Sequence, residues 1–205
     1  MALSPPPLQL VAMAQNAEDV VLHRAFSNAG VRGGFYVDAG AGDPVAGSLT
    51  WNLIHRLGWY GIDIEPQARL ADSLREANPG NVIVECALGA EDGELSFFRL
   101  NDNWGMSTLY PEVAGRHRAA GWDVEEISVV VRSLDSVLTE YADRPIDLLK
   151  IDVEGLESEV IAGANLSRWR PGVLVVEATA PASTTPTHHG WEGMVLGTSS
   201  VSWTV

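Results

Sequence analysis

Phe35-Tyr36-Val37-Asp38-Ala39-Gly40-Ala41-Gly42-Asp43 passes from an apolar run into two closely spaced glycines with a carboxylate on each side. Phe35–Val37 reads as a short buried strand. Glycines placed after a strand permit a sharp turn and let a ligand approach the backbone closely. A dinucleotide fingerprint would place a third glycine where Val45 stands. The acids Asp38 and Asp43 would repel a pyrophosphate. The turn therefore predicts a nucleotide-type site at the end of the first strand, and one that does not take a dinucleotide.

Working outward, apolar strands and amphipathic helices alternate. Upstream, Ala17, Val20, Val21 and Phe26 form a helical face that ends at Asn28-Ala29-Gly30. Downstream, Gly47–Leu57 reads as a helix with Leu49, Leu53, Ile54 and Leu57 on one face. Trp59–Ile64 is the second strand, and Pro66 opens a helix at its first turn. Asn81–Glu85 is a third strand, and Leu95–Leu100 and Ile127–Arg132 are extended. The segment Asn101–Trp122 lacks clear periodicity and reads as a long loop of the kind that forms lids or acceptor sites. Ser133 is placed to cap a helix through Tyr141. Ile146–Val153 is a strongly apolar strand, Gly155–Ala164 a helix, and Val173–Glu177 the last clear strand. Alternating β and α elements imply a parallel sheet covered by helices. Ligands bind such sheets outside the carboxyl ends of the strands.

Composition narrows the class. The chain has 205 residues, 46% of them hydrophobic, enough for one domain with a real core. Residues 1–14 form a Pro-rich N-terminal arm, and 15–205 a single domain. No apolar run is long enough to span a membrane, and the start lacks the basic residues of a signal peptide. Cys86 is the one cysteine, which excludes a disulfide framework and suggests a reducing cytoplasm. The net charge of −14, from 27 acidic and 13 basic residues, disfavours nucleic acid and anionic membranes as partners. It leaves a small-molecule or glycan acceptor, and a homodimer, open.

The acids at strand ends carry the chemistry. Glu65 follows Gly42 at close to the roughly 20-residue spacing at which a carboxylate meets a ribose diol. A loop with acidic flanks tolerates a ligand bearing an ammonium and a sulfonium, so S-adenosylmethionine is the expected nucleotide. In Ile146-Asp147-Leu148-Leu149-Lys150-Ile151-Asp152-Val153-Glu154-Gly155, alternation puts Lys150 and Asp152 on one face. A lysine in an apolar strand needs a partner, and Asp152 or a neighbouring carboxylate supplies it. Asp152 and Glu154 could orient an acceptor hydroxyl or take its proton. Glu177 could join the same cleft. With no third oxygen ligand evident, a divalent metal is left open and is not part of the expectation. His188, with His189 beside it, is a further candidate base. Trp104, Ser107 and Thr108 could contact an acceptor, the indole by stacking on a sugar face.

Taken together, the first strand and its glycine turn, Gly61-Ile62-Asp63-Ile64-Glu65-Pro66, Ala87-Leu88-Gly89, and the run from Asp147 to Gly155 resemble the FkbM family of methyltransferases. Gln15-Asn16-Ala17-Glu18-Asp19 is similar to the N-terminal element of its sugar-modifying members. The resemblance covers about residues 15–192. It implies a class I, Rossmann-like fold: a doubly wound, mostly parallel sheet with helices on both faces. It also implies methyl transfer from S-adenosylmethionine to a hydroxyl, often of a sugar in a polysaccharide, glycolipid or natural product. Carried over by position, Asp38, Gly40 and Gly42, with Asp43 beside them, would cradle the methionine end of the cofactor. Glu65 would hold the ribose, and Cys86, Ala87 and Leu88 would border the adenine. Asp152 and Glu154 would face the methyl group and acceptor, with His188 as another candidate. Family members finish with two further strands, whereas Met194–Val205 leaves room for one short strand, so abbreviated C-terminal strands are expected. Two rival readings follow: a methyltransferase-like binding module without turnover, and an NAD-dependent oxidoreductase, which Val45 disfavours.

Overall fold

A computed structural model describes residues 10–101 and 103–177 of the chain. In chain order the elements are α1 (Glu18–Asn28), β1 (Phe35–Ala39), α2 (Trp51–Leu57), β2 (Tyr60–Ile64), α3 (Ala68–Ala77), β3 (Val82–Val84), β4 (Ala87–Gly89), β5 (Gly93–Leu100), a 3-10 turn (Trp104–Met106), α4 (Pro111–Ala119), β6 (Val124–Ser133), α5 (Leu134–Tyr141), β7 (Leu148–Ile151), α6 (Glu157–Ala162), α7 (Leu166–Trp169) and β8 (Val173–Val176).

The main sheet has five strands in the order β3-β2-β1-β7-β8, and every neighbouring pair is parallel. The fully buried β1 lies at its centre. Its odd residues Phe35, Val37 and Ala39 join Ile62, Ile64, Leu149 and Ile151 in one core, packed against Leu134, Val137 and Leu138 of α5 and Val160 and Ile161 of α6. On the opposite face Tyr36 and Leu148 pack with Phe26 of α1 and Leu53 and Leu57 of α2. Helices thus cover both faces, as a doubly wound sheet requires. Ser133 caps α5 as its position predicts, accepting the Ser136 N–H at 3.2 Å.

Three expectations need correction. The strands near Leu95 and Ile127 do not join the main sheet. They lengthen into β5 and β6, pair antiparallel from Gly93↔Val131 to Leu100↔Val124, and with β4 make a second sheet in the order β4-β6-β5. The segment 101–122 is not one long loop. It holds the 3-10 turn and α4, whose single buried residue, Ala114, leaves little periodicity to read. In α1 the inward face is Asp19, His23 and Phe26, while Val21 is 62% exposed.

Asp19 faces inward because it anchors the arm. Its Oδ2 accepts the Met13 N–H at 2.9 Å and the Asn52 amide at 2.5 Å, and Asn52 also donates to Val11 O. Residues 10–14 therefore dock on α1 and α2, and Ala14 is buried. Residues 1–9 of the Pro-rich arm, and Met194–Val205, lie outside the described residues. No helix among the described residues is long and apolar enough to cross a membrane.

Asp38 lies opposite Asp63 on β2 and opposite Lys150 on β7, so three ionisable side chains form a row across the sheet. Tyr36 donates its hydroxyl to Asp63 at 3.0 Å, and Asn81 donates to Asp63 Oδ2 at 2.9 Å. Burial, reinforced by the Asp38 charge, pushes the Asp63 carboxyl up to about 7. The folded chain thus binds this proton more tightly than the unfolded chain, whose carboxyl titrates near 3.8. The Asp63 contribution to stability is full below the unfolded value and lost as pH rises through the folded one. Asp63→Asn should therefore gain on the wild type as pH rises from 5 to 8 in thermal denaturation. A melting difference independent of pH would remove the buried acid from this role.

Candidate active site

The site forms where β1, β2 and β7 end. Gly40 and Gly42 have φ of +80° and +65°, backbone that side-chain-bearing residues rarely adopt. Gly40 also lies against the Asp152 carbonyl, and a Cβ there would occupy the position of that oxygen. The glycine is thus required by the approach of the β7 end to the β1 end. The Gly40 and Ala41 amides both donate to Ile64 O, which ties the turn to β2.

Lys150 locks these pieces together. Its ammonium reaches Gly40 O at 2.7 Å, Asp38 Oδ1 at 3.1 Å and Asp152 Oδ2 at 3.3 Å. Gly40 O accepts one of its protons, and the two carboxylates lie within ion-pair distance. Burial alone would lower the pKa of this lysine. The Asp38 and Asp152 charges outweigh it and hold the pKa above its ordinary value, so the ammonium persists. The expectation that Lys150 pairs with Asp152 meets this geometry, and Asp38 is the second partner.

Glu65 is 4% exposed and belongs to the same construction. Its Oε2 accepts the Gly42 N–H at 3.0 Å and its Oε1 the Gln67 N–H at 2.9 Å. Burial raises its pKa, and the two amides oppose that rise. Each oxygen retains a second lone pair for a ligand.

These groups border one open cavity at the strand ends. Gly40, Gly42 and Glu65 form one wall. Cys86, Ala87 and Leu88, with Phe97 and Leu109, form an apolar wall. Trp104 lies against Gly42, and Gln67 donates to its carbonyl at 3.3 Å. Asp152 and Glu154 form an acidic end. Partial burial at the mouth, with the Asp152 and Glu157 charges, pushes Glu154 up to about 7. Burial pushes the Cys86 thiol up to about 12, so it stays protonated and is no nucleophile at neutral pH.

Ten of the residues singled out in the sequence therefore line one cavity: Gly40, Gly42, Glu65, Cys86, Ala87, Leu88, Trp104, Ser107, Asp152 and Glu154. The two acids flanking the turn do not. Asp38 is buried behind the turn, its carboxylate taken by Lys150 and the Thr50 hydroxyl. Asp43 folds back to accept the Val45 and Ala46 amides at 2.8 Å. Neither carboxylate reaches the cavity, so repulsion by the flanks of the turn gives way to Glu65 as the acid a ligand would meet. His188 and His189 lie outside the described residues. Ser107 lines the cavity while its hydroxyl accepts the Leu100 amide, whereas Thr108 accepts the Tyr110 amide and does not border the cavity.

Glu157 is the residue that the sequence reading missed. It is 3% exposed and brings a carboxylate oxygen within 4.8 Å of oxygens of Asp152 and Glu177. Oxygens so spaced can share protons or a divalent cation. Partial burial and the neighbouring Asp152 push Glu177 up to about 8. The available signal was Glu157 itself, an acid at the start of a helix just after the Asp152–Gly155 run.

The family model for the methyltransferase FkbM domain matches residues 38–195. Methyltransferase sdnD of Sordaria araneosa is 30% identical over 136 residues, 56% of this chain and 52% of its own length. Methyltransferase 1 of Beauveria bassiana (strain ARSEF 2860) is 33% identical over 96 residues, 42% of this chain and 39% of its own length. The chain thus spans about half or less of the curated relatives it matches. No solved structure matches it significantly.

Replacing Lys150 would leave Asp38 charged and buried without its partner. Removing one member of a buried pair typically costs about 3–5 kcal/mol. Lys150→Met should lower the stability measured by urea denaturation by that order. A loss below about 1 kcal/mol, the scale of an exposed pair, would show that the ammonium does not hold the strand ends together.

Proposed function

The chain belongs to the FkbM methyltransferase family, and on that premise we propose that it transfers a methyl group from S-adenosylmethionine to a hydroxyl of a sugar or a glycosylated natural product. The observation that carries this reading is Glu65, fixed by two backbone amides between the glycine turn and the apolar wall. Its remaining lone pairs suit the two hydroxyls of a ribose. The apolar wall of Ala87, Leu88, Phe97 and Leu109 suits the faces and edge of a purine. The acidic end suits a sulfonium. Gly40 and Gly42 would receive the methionine portion, their missing side chains leaving backbone at the rim. The residues present therefore fit the cofactor.

A dinucleotide fits less well. The helix that follows the turn, α2, begins only at Trp51, so the glycine loop does not open directly onto a helix N-terminus.

The bound cofactor supplies an electrophilic methyl group, and an acceptor oxygen must approach it in line. Much of the rate then comes from positioning. The acceptor hydroxyl must also lose its proton. Asp152 has one oxygen engaged by Lys150, which fixes its direction and leaves the other to orient a hydroxyl. Glu154 makes no hydrogen bond or ion pair among the described residues and stands at the mouth of the cavity, free to take the proton.

Thermal shift separates the ligand classes: S-adenosylmethionine and S-adenosylhomocysteine should raise the melting temperature, and NAD should not. No shift with either sulfur ligand would sink the reading. Glu65→Ala should weaken S-adenosylhomocysteine binding by about tenfold or more, as expected when a hydrogen-bonding charged group is lost. Unchanged affinity in calorimetry would remove its ribose role. With radiolabelled methyl transfer to a panel of glycosides as the assay, Asp152→Asn and Glu154→Gln should retain cofactor binding and lower turnover by about a hundredfold. Near-wild-type turnover in either variant would take that residue out of the chemistry.

A further inference from the structure

The turn after β7 holds one residue in a backbone conformation it does not favour. Glu154 has φ of +56°, and Gly155 follows at +106°. Glycine adopts such angles freely, whereas glutamate does so at a steric cost. A conformation of this kind persists only where its surroundings over-determine it. The surroundings here are specific. The amides of Val153 and Gly155, on either side of Glu154, both donate to one atom, Oε1 of Glu157, at 3.1 and 3.0 Å. Glu157 is the first residue of α6, and its side chain folds back over the turn that precedes the helix. Its burial keeps water from competing for the two amides. Tyr110 packs against Gly155 and donates its hydroxyl to Gly155 O at 3.3 Å, which pins the far side of the turn.

We propose that Glu157 is a positioning residue: by accepting both amides that flank Glu154, it holds that residue in left-handed backbone and so keeps its side chain at the mouth of the cavity. The inference rests on the reading of that cavity as a methyl-transfer site. Glu157 acts through its acceptor oxygen and not through its charge. This distinguishes it from a carboxylate that would work directly on a ligand together with Asp152 and Glu177. Glutamine carries the same acceptor oxygen at the same reach, and alanine carries none.

Glu157→Gln and Glu157→Ala in the full chain separate the two roles. Amide exchange at Val153 and Gly155, followed by NMR, should be slow in the wild type and in Glu157→Gln and fast in Glu157→Ala. Affinity for S-adenosylhomocysteine should stay within about threefold in both variants, since the cofactor contacts are elsewhere. Methyl transfer should be close to wild type in Glu157→Gln and fall by about a hundredfold in Glu157→Ala, the scale of a misplaced reacting group. In a Glu154→Ala background, adding Glu157→Ala should cost little more, because the two act as one unit. A Glu157→Gln variant as impaired as Glu157→Ala would overturn the proposal in favour of a charge role. So would a Glu157→Ala variant that keeps both amides protected. If Glu157→Ala does not fold, Glu157→Gln decides alone: retained protection and turnover support the clamp, and loss of either overturns it. If the wild type transfers no methyl group to any glycoside, the functional reading fails, while amide exchange still decides whether Glu157 builds the turn.

Discussion

The Lys150 ammonium is the interaction on which the rest of this site depends. It joins the end of β1 through Asp38, the glycine turn through Gly40 O, and the end of β7 through Asp152. An unpaired charge at that depth would be costly, so the three partners must be present together. That requirement fixes the neighbours. The end of β7 must come close enough for the Asp152 carbonyl to leave no room for a side chain at residue 40. The turn must then continue to Gly42, whose amide finds Glu65 at the end of β2. One buried cation therefore sets the relative placement of the strand ends that frame the cavity.

The cost of this arrangement is visible in the same row. Asp38 and Asp63 face each other on adjacent strands, both buried, and of the two only Asp38 pairs with Lys150. Tyr36 and Asn81 supply hydrogen bonds to Asp63, and burial keeps its proton within reach of neutral pH. At the other end of the site, Asp152, Glu154, Glu157 and Glu177 place several carboxylates together, and the amides of the turn engage one of them. The site is thus acid-rich, with its charge handled differently at each place: paired at Asp38, protonatable at Asp63, anchored by amides at Glu65 and Glu157. Glu154 is left facing the cavity mouth.

Much of this was legible in the sequence, and the reason is periodicity. Runs such as Phe35–Ala39 and Ile146–Ile151 are buried on both faces, so they are continuously apolar, and the polar exceptions within them stand out. Asp38 and Lys150 were found that way, and Glu65 and Asp152 as the acids at the ends of such strands. What escaped was set by contacts between distant segments. Ala87–Gly89 is too short to announce itself as a strand and exists because β6 pairs with it. The helix α4 buries a single alanine and shows no stripe. Asp38 and Asp43 were read as acids facing a ligand, whereas Lys150 and two turn amides turn them away from it. Glu157 acts through local folding back of its side chain, which spacing alone does not reveal.

The central claim is that this cavity receives S-adenosylmethionine with Glu65 at its ribose and Asp152 and Glu154 at its reacting end. A crystal structure of the chain with bound S-adenosylhomocysteine tests it most directly. The account predicts both ribose hydroxyls within hydrogen-bond distance of the Glu65 carboxylate, the purine against Ala87 and Leu88, and the sulfur turned toward Asp152 and Glu154. A ligand bound away from Glu65, or one whose sulfur points away from the acidic end, would contradict it.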